Sequence, residues 1–234
     1  MSPPLSINAW LRFDAIRAAV RKAQPTSILE IGAGQGAMGS WLSEQASYVG
    51  FEPDVTSRAT AAARVEGRGA MVDALPDGTF DLACAFEVLE HIDDDAEALR
   101  LWHEHLNEGG WLVLSVPGHR KRFGAWDARV GHFRRYDRDD LDALLTENGY
   151  EVESISLYGG GLGHLLEGAR NVVARMSSGE GSMEERTARS GRSLQASSLV
   201  APLLYLVAAP FRLLQRPFSG SSFGTGFVVT ARRR

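Results

Sequence analysis

Short apolar runs separated by amphipathic stretches set the rhythm of the chain from residue 27 onward: SILEI, SYVGF, GAMV, FDLACAF and GWLVLSV. Each run is strand length, and the stretches between them are long enough for helical crossovers, the βαβ rhythm of a mostly parallel sheet. Upstream, Trp10, Phe13, Ile16 and Val20 recur at near-helical spacing after Asn8, the predicted N-cap, and the pattern stops near Gln24-Pro25. A further helix is predicted to carry Leu99, Trp102 and Leu106, ended by the turn residues Asn107 to Gly110. Asp137 to Asn148 predict another helix, closed by Gly149; EVESISLY then reads as a sixth strand and GFVVTA as a seventh.

Between the last two strands lies an insertion of roughly sixty residues, longer than neighbouring strands normally need. It opens with GGGLGHLLEGARNVVARM, passes through a polar segment from Ser177 to Ser193 and ends in LVAPLLYLVAAPFRLLQRPF. The uncharged stretch from Leu199 to Phe211 is too short to cross a bilayer and is interrupted by Pro202 and Pro210. It reads as a core helix, as a lid over an apolar acceptor, or as peripheral membrane contact through residues 199–216 with Arg212 and Arg216 at lipid headgroups. The expected organisation is one domain: an N-terminal helix (1–26), a core (27–158), a helical insertion or lid (159–223) and a last strand (224–234).

Composition narrows the partners. Twenty-five Lys and Arg against twenty-nine Asp and Glu give a net charge of −4, so nucleic acid is not expected. Cys84 lies inside an apolar run and reads as a small buried hydrophobe. With no secretory pattern in the first residues, this predicts a cytoplasmic protein, with membrane association as an option for the late apolar stretch.

The sharpest chemical signal is ILEIGAGQGAMGSWL, where Gly32, Gly34 and Gly36 sit at the turn from the first strand into a helix predicted to begin near Gln35. Gly32, Gly34 and Ala37 also satisfy a dinucleotide fingerprint, so the glycines alone do not choose a cofactor. Glu52, ending the second strand, can accept hydrogen bonds from two ribose hydroxyls, which suits an adenosyl cofactor or NAD. Glu30, an acid inside the first strand, tilts the balance: it repels a pyrophosphate and favours the cationic methionine end of S-adenosylmethionine.

With LEIGAGQG, GFEPD, VDALPDGTFDLACAFEVLEHI and LNEGGWLVLSVP in order over about residues 27 to 158, the chain resembles the class I S-adenosylmethionine-dependent methyltransferases. The resemblance implies a doubly wound, Rossmann-like α/β fold: a seven-stranded sheet, mostly parallel, with an antiparallel last strand. It also implies that Gly32, Gly34 and Gly36 lie against the methionine portion, that Glu52 holds the ribose, that Asp73 and Ala74 address the adenine edge, and that Phe86 offers its carbonyl to the cofactor's amino group.

Glu87, Glu90 and His91 fall at i, i+3 and i+4, so a helix starting after the fourth strand presents all three toward the methyl-transfer cleft. Similar residues bind magnesium in some ubiquinone-pathway and small-RNA O-methyltransferases, and His132 could supply a fourth ligand; the E-V-L-E-H string is also common where no metal is needed, so a divalent metal is an option rather than an expectation. Without a metal, His91 or His132 is a candidate general base. The segment from Arg120 to Arg138 holds seven cations, among them Arg134 and Arg135, and is expected either to admit an anionic acceptor through arginine forks or to be a solvated loop anchored by Trp126 and Phe133. The reading is methyl transfer to a small molecule, most readily at oxygen, with an anionic or lipid-linked acceptor; a noncatalytic cofactor-binding scaffold and a nicotinamide-dependent oxidoreductase are the alternatives.

Overall fold

The computed structural model describes residues 6–176, 205–206, 209–210 and 223–234. In chain order the elements are α1 (Ile7–Ala23), β1 (Ser27–Ile31), α2 (Gly39–Leu42), β2 (Ser47–Phe51), α3 (Val55–Val65), β3 (Gly69–Val72), β4 (Phe80–Phe86), α4 (Asp95–Glu104), β5 (Leu106–Pro117), α5 (Ala125–Val130), α6 (Arg138–Glu147), β6 (Tyr150–Tyr158), α7 (Gly160–Met176) and β7 (Gly226–Arg233). The strands form one sheet in the order β3-β2-β1-β4-β5-β7-β6. β7 runs antiparallel to both neighbours, and the pairings from β3 through β5 are all parallel.

Both faces of the sheet are covered, which explains why its central strands read as continuous apolar runs. Alternate residues feed two separate cores: Leu29, Ile31, Ala83 and Ala85 pack with Leu99, Trp102, Leu141 and Leu145, whereas Ile28, Leu82 and Cys84 pack with Leu11, Ile16 and Val20 of α1. The strand order reverses between β1 and β4, so a crevice opens at their carboxyl ends, where sheets of this kind bind ligands.

The structure corrects the local expectations at four places. Ser6, not Asn8, caps α1, its side chain accepting from the Ala9 amide at 3.3 Å. No helix begins at Gln35: Gly36 has φ +75°, outside right-handed helix space, and α2 is a single turn from Gly39. Leu106 belongs to β5, pairing with Phe80, and the Asn107–Gly110 turn is an irregularity within that strand, with Gly109 at φ +68°. Glu87, at φ +58°, breaks the chain out of β4, and only a 3-10 turn over Leu89–His91 follows, so the helical face expected for Glu87, Glu90 and His91 does not form.

α7 occupies the start of the insertion. The expectations for Ser177 to Ser193 and for residues 199–216 lie outside the described residues, except that Tyr205 stacks on Trp10 at 5.0 Å. No helix among the described residues is long and apolar enough to cross a membrane.

Glycine is required at position 36 for two reasons. A Cβ there falls 2.8 Å from the Ala61 Cα, and φ is left-handed. Gly36→Ala is expected to destabilise the protein by about 2–3 kcal/mol through overpacking and strain combined, measured by denaturant unfolding. Gly34→Ala meets open space and carries the φ strain alone, so its loss is expected to be only about 1–2 kcal/mol.

Candidate active site

The crevice is the mouth of a cavity of about 1260 Å³. One end is walled by Gly32, Gly34, Glu52, Leu75 and Phe86; the other by Arg12, Glu87, His91, Trp126, His132 and Arg170.

At the first end, β1 runs into the glycine turn, and the Gly32 and Ala33 amides both donate to the Phe51 carbonyl at the end of β2. This ties the turn to the strand carrying Glu52. The Glu52 carboxylate accepts from the Gly34 amide at 2.7 Å and the Asp54 amide at 2.9 Å, which fixes its orientation before any ligand arrives. A carboxylate has about four acceptor sites, so capacity for a ribose diol remains. Three residues expected at the cofactor are not among the cavity's lining. Gly36 packs on Ala61 instead of lining the cavity, and Asp73 and Ala74 are exposed beyond the end of β3, with Asp73 paired to Arg58 at 3.4 Å; Leu75 takes their place in the wall.

Glu30 reaches the same wall, 3% exposed, and accepts from the Tyr48 hydroxyl at 2.5 Å. Burial pushes its pKa up to about 7 against the lowering effect of Tyr48, and the charge of Glu52 adds to the rise. A folded pKa raised from 4.5 to about 7 means the contribution to stability is full below pH 4.5 and is lost as pH rises through 7, about 3 kcal/mol in all. A cationic ligand beside Glu30 offsets that loss. The thermal upshift produced by S-adenosylmethionine is therefore expected to be larger at pH 8 than at pH 6 in the wild type, and the same at both in Glu30→Gln; differential scanning fluorimetry reads the difference.

At the second end, Glu87 is held by the Tyr158 hydroxyl at 2.9 Å, the Ser115 hydroxyl at 3.0 Å and the Arg12 guanidinium at 3.6 Å. Beneath it Glu90 is fully buried, with no hydrogen-bond partner for either carboxylate oxygen among the described residues. Burial, reinforced by the charge of Glu87, pushes its pKa well above the usual carboxylate value. His91 lies edge-on to His132 with ring centroids 4.6 Å apart, and burial together with His132 lowers its pKa to about 4.

His132 is the better placed base. Its Nδ1 lies 2.9 Å from Asp127 Oδ1, and its Nε2 is 3.8 Å from Glu90 Oε1. Although burial acts to raise it, the Asp127 pKa is held at about 2 by hydrogen bonds from His132 and Arg135. As a carboxylate Asp127 can only accept, so His132 Nδ1 is the donor of that hydrogen bond and Nε2 is the nitrogen left to act as a base.

Glu90, His91 and His132 each offer a ligand atom within 4.8 Å of the others, whereas Glu87 is committed to Tyr158, Ser115 and Arg12. One carboxylate, with no hydrogen-bond partner among the described residues, and two imidazoles suit zinc, manganese or iron better than magnesium, which prefers oxygen ligands and keeps its waters.

The arginine segment differs from expectation. Arg134 pairs with Asp95 at 2.8 Å and Arg135 with Asp127 and Glu167 at 2.9 and 3.1 Å, so both forks are occupied within the chain. Phe133 is 40% exposed and does not anchor the loop; Trp126 lies in the cavity wall with the Arg170 guanidinium over its ring. The residues without a sequence signal are Arg12, Asp127, Tyr158, Glu167 and Arg170. Each sits in a helix or strand end where a polar residue reads as solvated, and only the packing of α1, α5 and α7 around the crevice turns them inward.

A family model described as a methyltransferase domain matches residues 11–155. The chain is 28% identical over 170 residues to a probable S-adenosylmethionine-dependent methyltransferase of Mycolicibacterium smegmatis, covering 68% of this chain and 66% of that protein. It is 27% identical over 176 residues to one of Mycobacterium tuberculosis, covering 68% and 62%. The chain thus spans somewhat less than two thirds of the length of these relatives. In fold it is similar to an S-adenosylmethionine-dependent methyltransferase from Mesorhizobium loti (TM-score 0.64, 16% identity, 97% of this chain and 100% of that one). It is also similar to the N-methyltransferase NodS from Bradyrhizobium japonicum in complex with S-adenosyl-L-homocysteine (TM-score 0.59, 14% identity, 97% and 87%). The [4+2]-cyclase SpnF shares the fold as well (TM-score 0.58, 16% identity, 94% and 80%).

Proposed function

Because the chain belongs to the methyltransferase domain family, we propose that it transfers the methyl group of S-adenosylmethionine to the oxygen of a small-molecule acceptor. The observation that carries the reading is the meeting, in one cavity, of a pre-oriented Glu52 beside the glycine turn with a carboxylate-oriented imidazole, His132.

The cofactor supplies an electrophilic methyl group on a sulfonium, and the protein's task is to line up an acceptor behind it and exclude water. Glu52 holds the ribose hydroxyls, the Gly32–Gly34 turn leaves room for the methionine portion, and Phe86 offers its carbonyl. His132 takes the acceptor's proton at Nε2 as the oxygen lone pair forms its bond to carbon and the carbon–sulfur pair leaves with sulfur. Asp127 holds the imidazole in the required tautomer and stabilises the imidazolium that results. Were a divalent ion held by Glu90, His91 and His132, it would lower the pKa of an acceptor hydroxyl instead.

The test is transfer of labelled methyl from S-adenosylmethionine to hydroxyl-bearing and amine-bearing aromatic acids. Label is expected on oxygen, and His132→Gln is expected to cut the rate by about 10²–10⁴-fold while leaving S-adenosylhomocysteine affinity unchanged. Transfer only to nitrogen, or a rate indifferent to His132→Gln, contradicts the mechanism. Binding without transfer to any acceptor supports a scaffold that uses the nucleoside and moves nothing, a reading that SpnF keeps in view, since a protein of similar fold is named a cyclase.

A further inference from the structure

We propose that Arg170 recognises an oxyanion, a carboxylate or a phosphate, on the molecule to be methylated. The inference rests on the reading that the second end of the cavity receives the acceptor, and it names the chemical class of that acceptor.

Charge pairing around the cavity wall singles out Arg170. Arg12 is matched by Glu87 at 3.6 Å, and Arg135 by Asp127 at 2.9 Å. Glu167, one turn before Arg170 on α7, is already shared by two cations: Arg122 takes both its oxygens at 3.2 and 3.0 Å, and Arg135 donates to one of them at 3.1 Å. What is left is Arg170, which lines the cavity and makes no ion pair or side-chain hydrogen bond among the described residues. Its guanidinium carbon lies 5.6 Å from the centroid of the Trp126 ring.

Burial lowers the pKa of this half-buried arginine, and the charges of Glu87 and Glu167 offset that cost only through space, neither forming an ion pair with it among the described residues. An arriving oxyanion relieves that cost, and the guanidinium fork suits carboxylate and phosphate alike. The group is held in place from below: the Trp126 amide donates to the Asn171 side chain at 2.9 Å, tying the indole's backbone to the residue next to Arg170. α7 lies beyond the residues matched by the family model.

The experiment titrates the full chain, saturated with S-adenosylhomocysteine, with benzoate and phenyl phosphate, and with neutral benzamide as the control, by calorimetry. At least one anion is expected to bind ten-fold or more tighter than benzamide, and the better of the two distinguishes carboxylate from phosphate. Arg170→Gln is expected to abolish that preference with S-adenosylhomocysteine affinity intact, and Arg170→Lys to restore part of it. Equal binding of the three probes, no binding of either anion, or an anion preference that survives Arg170→Gln overturns the proposal. Failure of the wild type to take up S-adenosylhomocysteine is a different result, and it counts against the proposed function itself.

Discussion

Glu52→Ala is expected to weaken uptake of S-adenosylhomocysteine by about two to three orders of magnitude, since two charge-assisted hydrogen bonds to a ribose contribute about 1.5–2 kcal/mol each. The substitution also releases the Gly34 and Asp54 amides that now donate to this carboxylate. Glu52→Gln separates the two effects: its amide keeps one acceptor oxygen near those amides but loses the charge, so an intermediate loss of about ten-fold is expected. Isothermal titration of the three proteins reads the series, and unchanged affinity in Glu52→Ala removes the ribose role.

Arg135→Met is expected to produce the largest loss of stability. Arg135 is 5% exposed, and it joins Asp127, 1% exposed, to Glu167 on α7, so the substitution strands two carboxylates in a poorly solvated place. Removing one partner of a buried pair costs about 3–5 kcal/mol. In a chain of this size that is a fall of roughly 10 °C in the melting temperature. Arg134→Met is the control, because its bridge to Asp95 is partly solvated and contributes no more than about 1 kcal/mol. The double variant Arg135→Met/Asp127→Asn is expected to recover part of the loss, which a merely steric role for Arg135 does not predict.

The strands were legible because their physics is local. Five apolar runs between turn residues have the bounds seen in the sheet, apart from the extra residues of β5, and Gly149 and the seventh strand stand where the pattern puts them. The first-half site was legible for a related reason: the glycine turn and Glu52 lie at strand ends, and strand ends in a sheet of this order converge on one crevice. Asp73 is exposed at the end of β3 and pairs with Arg58, a pairing that the sequence pattern does not show.

The second half of the site was hidden because it depends on pairings between residues far apart in the chain. Arg135 looked available for an acceptor until α7 brought Glu167 to it across 32 positions, while Arg170 carried no motif. Likewise, the expected helical face of Glu87, Glu90 and His91 assumed regular geometry through Glu87, whose positive φ diverts the chain. His91 and His132 were legible as candidates, but the choice between them needed Asp127, which a sequence shows only as one acid among many.

The central claim is that the crevice after β1 takes up an adenosyl thioether with Glu52 on its sugar. Calorimetric titration of the wild-type protein with S-adenosylhomocysteine, and separately with NAD, tests it most directly. One equivalent of S-adenosylhomocysteine bound per chain, with no heat from NAD, is the predicted result; folded protein that binds NAD instead, or takes up neither, contradicts it.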